Sequence, residues 1–397
     1  MNKIYLFSLL FCFCFSCNKK GINPDLTYID LDNSRHSKLS DVYENVKYIV
    51  VEELDSLPIV QPYKVVFHKS LIFIEDNMMD NLFLVNMDGK VEHIFLSSGN
   101  GPGEFNQIED FQVEDNEVII KDLVSGKFIS YDFMGNVIHE ERIRNMSTNF
   151  FKRENFILHF FNNKDNEFSM NFIAENKDSL LYTYYPIKRE FLESGRVFNL
   201  DNGFVFDKST SQILLTLPYS YDVAFFDDKG RGGKLHTFNF GKYSLSDRLR
   251  LQYSNGSFIN SPDNVEDEYV GAINRFFPFK DFYYLAARNG KDEFHIVFLD
   301  KQFEPLLQVK EFDNDLDGLP HLHWPSLFYD NHLIVRTRSN YMLELYEENQ
   351  ELMRSKHPHA IIHDFVGENK GKLSGDNLAF ILYKIKPDLV ELLSVKP

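Results

Sequence analysis

Short apolar runs recur along the chain in constant company. Leu71 to Ile74, Val118 to Ile120, Phe156 to Phe161, Ile213 to Leu217, Phe282 to Ala286 and Leu333 to Val335 are each closed off by polar residues. Runs this short, bounded by Gly, Asn and Asp, predict strands rather than helices. A phenylalanine stands a few residues before each run: Phe67, Phe111, Phe151, Phe206, Phe277 and Phe328. A third strand is expected to begin at Phe83, Phe128, Phe168, Val223 and Phe294. Turns at Asp88-Gly89, Gly135-Asn136, Asp228-Lys229-Gly230 and Asp300-Lys301 then lead into a fourth. The unit is therefore four strands, repeated six times at a spacing of about fifty residues, which is the spacing of propeller blades.

The middle strands of each unit are apolar on both faces, so both faces need a cover. Stacking six sheets around an axis supplies one and leaves only short edges. A β-sandwich would show cleaner alternation, because one face of each sheet meets water. The expected fold is all-β, a six-bladed β-propeller over residues 26–397, with a short helical insertion in the last blade. That insertion is placed at Tyr341 to Met353, where Met342, Leu345, Tyr346, Leu352 and Met353 recur at helical spacing. The third strand of the same blade is then Leu378 to Ile385. Its fourth comes from Val46 to Val51, so both ends of the chain close the ring. Gly241 to Val270 is a long polar insertion with a short helix expected from Ser246 to Gln252. It reads equally as a lid over the channel or as a solvated loop.

Residues 1–16 have the pattern of a targeting segment: Lys3, then an apolar stretch from Ile4 to Phe15 too short to span a bilayer. Ser16-Cys17 is similar to the end of a bacterial lipoprotein signal, which makes Cys17 the expected lipidation site. Cys14 stands where such signals usually carry Leu, and ordinary cleavage or an uncleaved anchor is the alternative. Residues 17–25 read as a polar tether. Asn18-Lys19-Lys20 lacks the acidic residues that mark export to the cell surface in such bacteria, which favours the periplasmic side. All three cysteines lie at or before Cys17, so the mature chain has no internal disulfide.

A net charge of −17 argues against nucleic acid as a partner, since that binding rests on neutralising phosphates. The expected attachment to a membrane is through the lipid anchor alone, and the protein is expected to be a monomer.

The loops joining one blade's last strand to the next blade's first open at one end of the channel, and they are longer than hairpin turns. Length beyond what closure needs is where function tends to sit. Ser97 to Asp110, Pro186 to Asn202, Gly241 to Val270 and Asp313 to Pro325 carry Glu104, Arg189, Arg196, Arg248, Arg250, Asp315, His323 and Trp324. Stacking from Trp and bidentate donation from Arg suit a polar ligand, a glycan or a peptide, or an envelope protein partner.

Three motifs have their own chemistry. Gly99 to Phe105 (GNGPGEF) offers backbone N–H groups to an anion, or forms a tight inter-blade crossing in which Glu104 bonds to nearby backbone; it lacks the Lys-Ser/Thr ending of a phosphate loop. Asp313, Asp315 and Asp317 begin as a calcium loop does, making Ca2+ the candidate cofactor. The twelfth position is Trp324 instead of Glu, and an Asx-rich turn is the competing reading. His321 and His323, and His357 and His359 with His363, are spaced to share a metal only if the two groups meet. No catalytic nucleophile motif is present.

The GNGPGEF loop after the Asp88-Gly89 turn resembles the G-x-GPGE-[FY] loop of the six-bladed β-propeller lipoproteins (NHL/TolB-like propellers) of Bacteroides-type bacteria. Asn314-Asp315-Leu316-Asp317-Gly318 is similar to that family's N-D-x-D-G segment. Asp376-Asn377-Leu378 is similar to its D-N-P-x-L closing strand, with Leu378 in place of the proline. The resemblance spans the mature chain and implies fold and compartment. It leaves two functional classes: a non-catalytic binding propeller, or an enzyme acting on a carbohydrate or lactone at the channel mouth.

Overall fold

The computed structural model describes residues 25–395 apart from 53, 55, 195–202, 248, 251–268, 290–293 and 321–323. Six antiparallel four-stranded sheets carry the chain. Blade 1 is Pro62–His68, Leu71–Asp76, Asn81–Asn86 and Val91–Phe95. Blade 2 is Asp110–Val113, Glu117–Asp122, Lys127–Asp132 and Val137–Arg142. Blade 3 is Asn149–Arg153, Phe156–Phe160, Met170–Glu175 and Leu180–Pro186. Blade 4 is Val205–Asp207, Gln212–Thr216, Asp222–Asp227 and Lys234–Asn239. Blade 5 is Val270–Pro278, Phe282–Asn289, Phe294–Asp300 and Pro305–Asp313. Every apolar run picked out by pattern is a second strand, and every preceding phenylalanine lies on a first strand. The fold is the six-bladed propeller that the repeat implied.

Blade 6 joins the two ends of the chain. Leu327–Tyr329, His332–Arg338 and Leu378–Ile385 are followed outward by Tyr43–Val50, which pairs antiparallel from Ala379↔Val50 to Ile385↔Tyr43. On the way there the N-terminal segment adds two short strands, each parallel to an outer strand: Leu26–Tyr28 on blade 4 and Arg35–Lys38 on blade 5. Blade 6 also meets blade 1 closely. Gly89 has φ +83, and a Cβ there would collide with the Val50 carbonyl. The Asp88-Gly89 turn needs glycine both for its left-handed backbone and for that approach.

Two details differ from the sequence pattern. The third strand of blade 3 begins at Met170 rather than Phe168, because Asn166 and the left-handed Ser169 make a turn there. The insertion in blade 6 is two helices, Ser339–Lys356 and Ile361–Leu373, and a third helix, Leu389–Val395, follows the closing strand. Gly367, Gly371 and Asn369 weaken the apolar spacing of the second helix, which hid it. It is held by tertiary packing, with Phe365 stacked on Tyr48 of the N-terminal strand Tyr43–Val50 at 5.2 Å. Among the described residues no helix is long and apolar enough to cross a membrane.

Each blade interface holds its own apolar cluster, and five of the six are large. The interface of blades 2 and 3 is the exception, with only Ile119, Phe128 and Phe150 fully buried. A chain of polar side chains fills the rest of it. Lys121 Nζ donates to the Ser147 carbonyl at 2.5 Å and also to the Ser147 hydroxyl. That hydroxyl lies 2.8 Å from His159 Nδ1, and His159 Nε2 lies 3.1 Å from Glu175 Oε1. Every member has a partner, which is the condition under which a buried polar network stabilises an interface instead of weakening it.

Candidate functional site

The channel is lined by the first strands, and four of the six repeated phenylalanines reach a cavity within it, whereas Phe111 and Phe151 are buried in the cores between blades. Phe67, Phe206, Phe277 and Phe328 border a cavity of about 700 Å³ that opens at the hairpins joining first to second strands. Phe277 stacks on Phe328 at 4.7 Å and Phe67 on Tyr329 at 6.0 Å, so the buried Phe67 and Phe277 back the half-buried rings of Phe328 and Tyr329 that face the cavity. Around the mouth stand Lys69, Lys208 and Lys280 from blades 1, 4 and 5, with Asp115 and Asp330. Asp207 lies deeper and is neutralised within the wall. Its carboxylate accepts from Ser209, Thr210 and Lys301, and these bonds hold its pKa below the ordinary value despite burial. Burial is the main cause that lowers the His68 pKa, and its Nε2 has no hydrogen-bond partner.

A plug of charge lies beyond the cavity. Lys64, on the first strand of blade 1, is buried and donates to Asp110 at 2.6 Å and to the Phe111 carbonyl at 2.5 Å. Gly203, leading into blade 4, comes so near that a Cβ would stand 3.1 Å from Lys64 Nζ. Blades 1 and 4 therefore meet here across the axis. Glu75 is buried beside this group, and desolvation pushes its pKa up to about 8.

Those of the sequence-expected site residues that the structure describes do not line this cavity. Glu104 is bonded within its own loop: its Oε2 accepts from Gly101 N at 2.9 Å. Gly103 N donates to Glu140, and Lys127 and Tyr131 donate to the Gly101 and Gly103 carbonyls. The GNGPGEF loop is thus a crossing fastened to blade 2. Arg189 is exposed and paired with Glu193 one helical turn on. Arg250 is buried, donating to the Tyr219 and Leu245 carbonyls and lying 4.0 Å from the Tyr221 ring centroid. Trp324 is half-buried against the core shared by blades 5 and 6, with its ring 6.1 Å from Phe294. None of these lines the cavity. Cys17, Arg196, Arg248, His321 and His323 lie outside the described residues, as does most of the 241–270 insertion.

The Asp313 to Gly318 segment is an Asx-rich turn. Asp315 accepts from Ser40 N and Oγ, at 2.9 and 2.5 Å, and Asp317 from Leu319 N, Asn314 and Tyr48. Asp313 is exposed at the end of its strand. His363 is turned to Tyr346 and to the His357 carbonyl. Among the described residues no three His, Cys, Asp or Glu side chains gather as a metal site would require.

Ser147, His159 and Glu175 have the composition of a hydrolytic triad, yet their geometry is the reverse of one. In a catalytic triad the serine meets Nε2 and the carboxylate meets Nδ1. Here the serine meets Nδ1, both Ser147 and His159 are 0% exposed, and Lys121 occupies the hydroxyl oxygen. The group braces two blades.

The position of Trp324 gives a testable consequence. Trp324→Ala should lower stability by about 2–3 kcal/mol, below the 3–5 of a fully buried tryptophan because the ring is half-exposed. Denaturant melts measure this; a midpoint equal to that of the unaltered protein would show the ring is not part of the packing.

Six four-stranded sheets around a closed channel, sealed by a blade made from both chain ends, define a β-propeller with a ligand-sized central cavity. The sequence matches the DUF5128 family model, described as a 6-bladed beta-propeller, over residues 18–336, and the chain belongs to that family. The fold is similar to that of a putative exported protein of Bacteroides fragilis, at a TM-score of 0.65 and 13% identity, covering 91% of this chain and 100% of that one. It is also similar to a member of the duf4221 family from Bacteroides vulgatus, at a TM-score of 0.50 and 11% identity, covering 87% and 97%. No curated protein matches the sequence.

Proposed function

We propose that this chain is a non-catalytic propeller of the cell envelope, tethered by acylated Cys17 on the periplasmic side, whose central cavity binds a small ligand. The lipoprotein-like N-terminus supports the compartment, as does the description of the Bacteroides fragilis relative as exported. The observation that carries the binding reading is the phenylalanine-walled cavity of about 700 Å³, within the range of pockets that enclose small molecules. Glycan rings and peptide side chains both present flat, partly apolar faces that such a wall accepts. The alternative, an enzyme acting on a carbohydrate or lactone, would draw on His68, whose Nε2 has no hydrogen-bond partner, since Asp207 is bound on both oxygens.

The neutral dye N-phenyl-1-naphthylamine tests the cavity. Its fluorescence should rise on titration with saturation at one dye per chain. Unsaturable or absent binding by the folded protein would remove the ligand-binding reading.

A further inference from the structure

The cavity also says something of its ligand's charge. In a chain with 17 excess negative charges, its mouth gathers three lysines from three blades. Lys208 and Lys280 are exposed and make no ion pair among the described residues, whereas Lys69 donates to the Asp115 carbonyl at 2.6 Å and keeps its charge 3.9 Å from that carboxylate. Lys69 and Lys208, from blades 1 and 4, stand at the same mouth as His68. Against them stand Asp115, partly offset by Lys69, and Asp330; Asp207 is consumed within the wall. Behind this rim the wall carries Phe204, Phe206, Phe328 and Tyr329.

We infer that the ligand is an amphipathic anion: a flat apolar body seated against the half-buried rings of Phe204, Phe206, Phe328 and Tyr329, with a carboxylate, sulfate or phosphate group held at the mouth by Lys208 and Lys280. An apolar body leaves water for the phenylalanine wall, and its charged end stays at the solvated rim, so neither part is buried without compensation. Long lysine stems allow the ammonium groups to converge on one anionic group without being desolvated beforehand. The inference rests on the cavity reading above and adds the charge of the occupant.

The test compares two dyes that share one body. 8-Anilinonaphthalene-1-sulfonate is the anionic counterpart of N-phenyl-1-naphthylamine. Both are titrated into the unaltered protein, a Lys208→Glu/Lys280→Glu variant, and Lys177→Glu, a change in an exposed turn of blade 3. The double variant should bind the sulfonate at least tenfold more weakly and the neutral dye within twofold of the unaltered protein. Lys177→Glu should leave both unchanged. The sulfonate's affinity should also fall as salt rises, since the rim charges are exposed to screening. If the neutral dye binds at one site but the sulfonate's affinity is unmoved by the lysine changes, or both dyes weaken equally, the inference is overturned while the cavity stands. If neither dye binds the unaltered protein, the cavity reading itself fails. Retained binding of the neutral dye shows that the variant is folded.

Discussion

Removing residues 376–397 is expected to abolish the folded state at ordinary temperature. The deletion takes away Leu378–Ile385, the strand that lies between His332–Arg338 and Tyr43–Val50. Leu378, Phe380, Ile381, Leu382, Tyr383 and Ile385 are all buried. At about 1.5–3 kcal/mol for each large apolar side chain, their loss is as large as the roughly 5–15 kcal/mol that holds a typical domain together. The N-terminal strand loses its partner at the same time, leaving blade edges open to association. Circular dichroism and sedimentation should show an unfolded or aggregated product. A truncated monomer with the unaltered protein's denaturant midpoint would mean that the ring is closed by something other than this pairing.

Glu75→Gln is expected to stabilise the protein, by an amount that grows as pH rises from about 4.5 to 8. Burial raises the Glu75 carboxyl from an ordinary 4.5 to about 8, with the charge of Lys64 opposing this and that of Asp110 adding to it; its Oε2 has no hydrogen-bond partner. The unfolded chain gives up this proton near pH 4.5, while the folded chain keeps it until about pH 8. Between these values the folded state holds more protons, so stability falls as pH rises through that window. Gln matches the neutral acid in shape and does not titrate. The two proteins should therefore be equally stable near pH 4.5 and diverge up to pH 8, the variant gaining several kcal/mol, with a ceiling on the order of 5. Chemical denaturation at a series of pH values measures the difference. Parallel curves from pH 5 to 8.5 would show that Glu75 is ionised in the folded protein.

Both outcomes come from features of very different legibility. The strand Leu378 to Ile385 announces itself as an uninterrupted apolar run, and its pairing with a strand near residue 46 follows because a ring of sheets must close. Glu75 announces nothing. It is one of 59 acidic residues, and only the meeting of blades 1 and 2 shows that this one is dry. Lys121, Ser147, His159 and Glu175 are likewise scattered over some fifty residues with no motif to join them.

The candidate site divides the same way. The repeated phenylalanines are visible as a pattern, but whether they fill an interface or face a cavity depends on how far apart six blades hold them. The long inter-blade loops drew attention to Glu104, Arg250 and Trp324, because loop length is a sequence property. The structure uses Glu104 and Arg250 to hold loops in place and packs Trp324 on the core, while the cavity opens at the short hairpins of the opposite end.

What the sequence determined by itself was local and periodic: strand, turn, repeat and closure. Each is encoded by residues within about ten positions of one another, or by the requirement that every apolar sheet face be covered. The tertiary structure alone decided where charge is buried, which polar groups find partners and where space remains. Those are relations between side chains from different blades. Their energies depend on distance and solvent exclusion, and neither is a property of position along a chain.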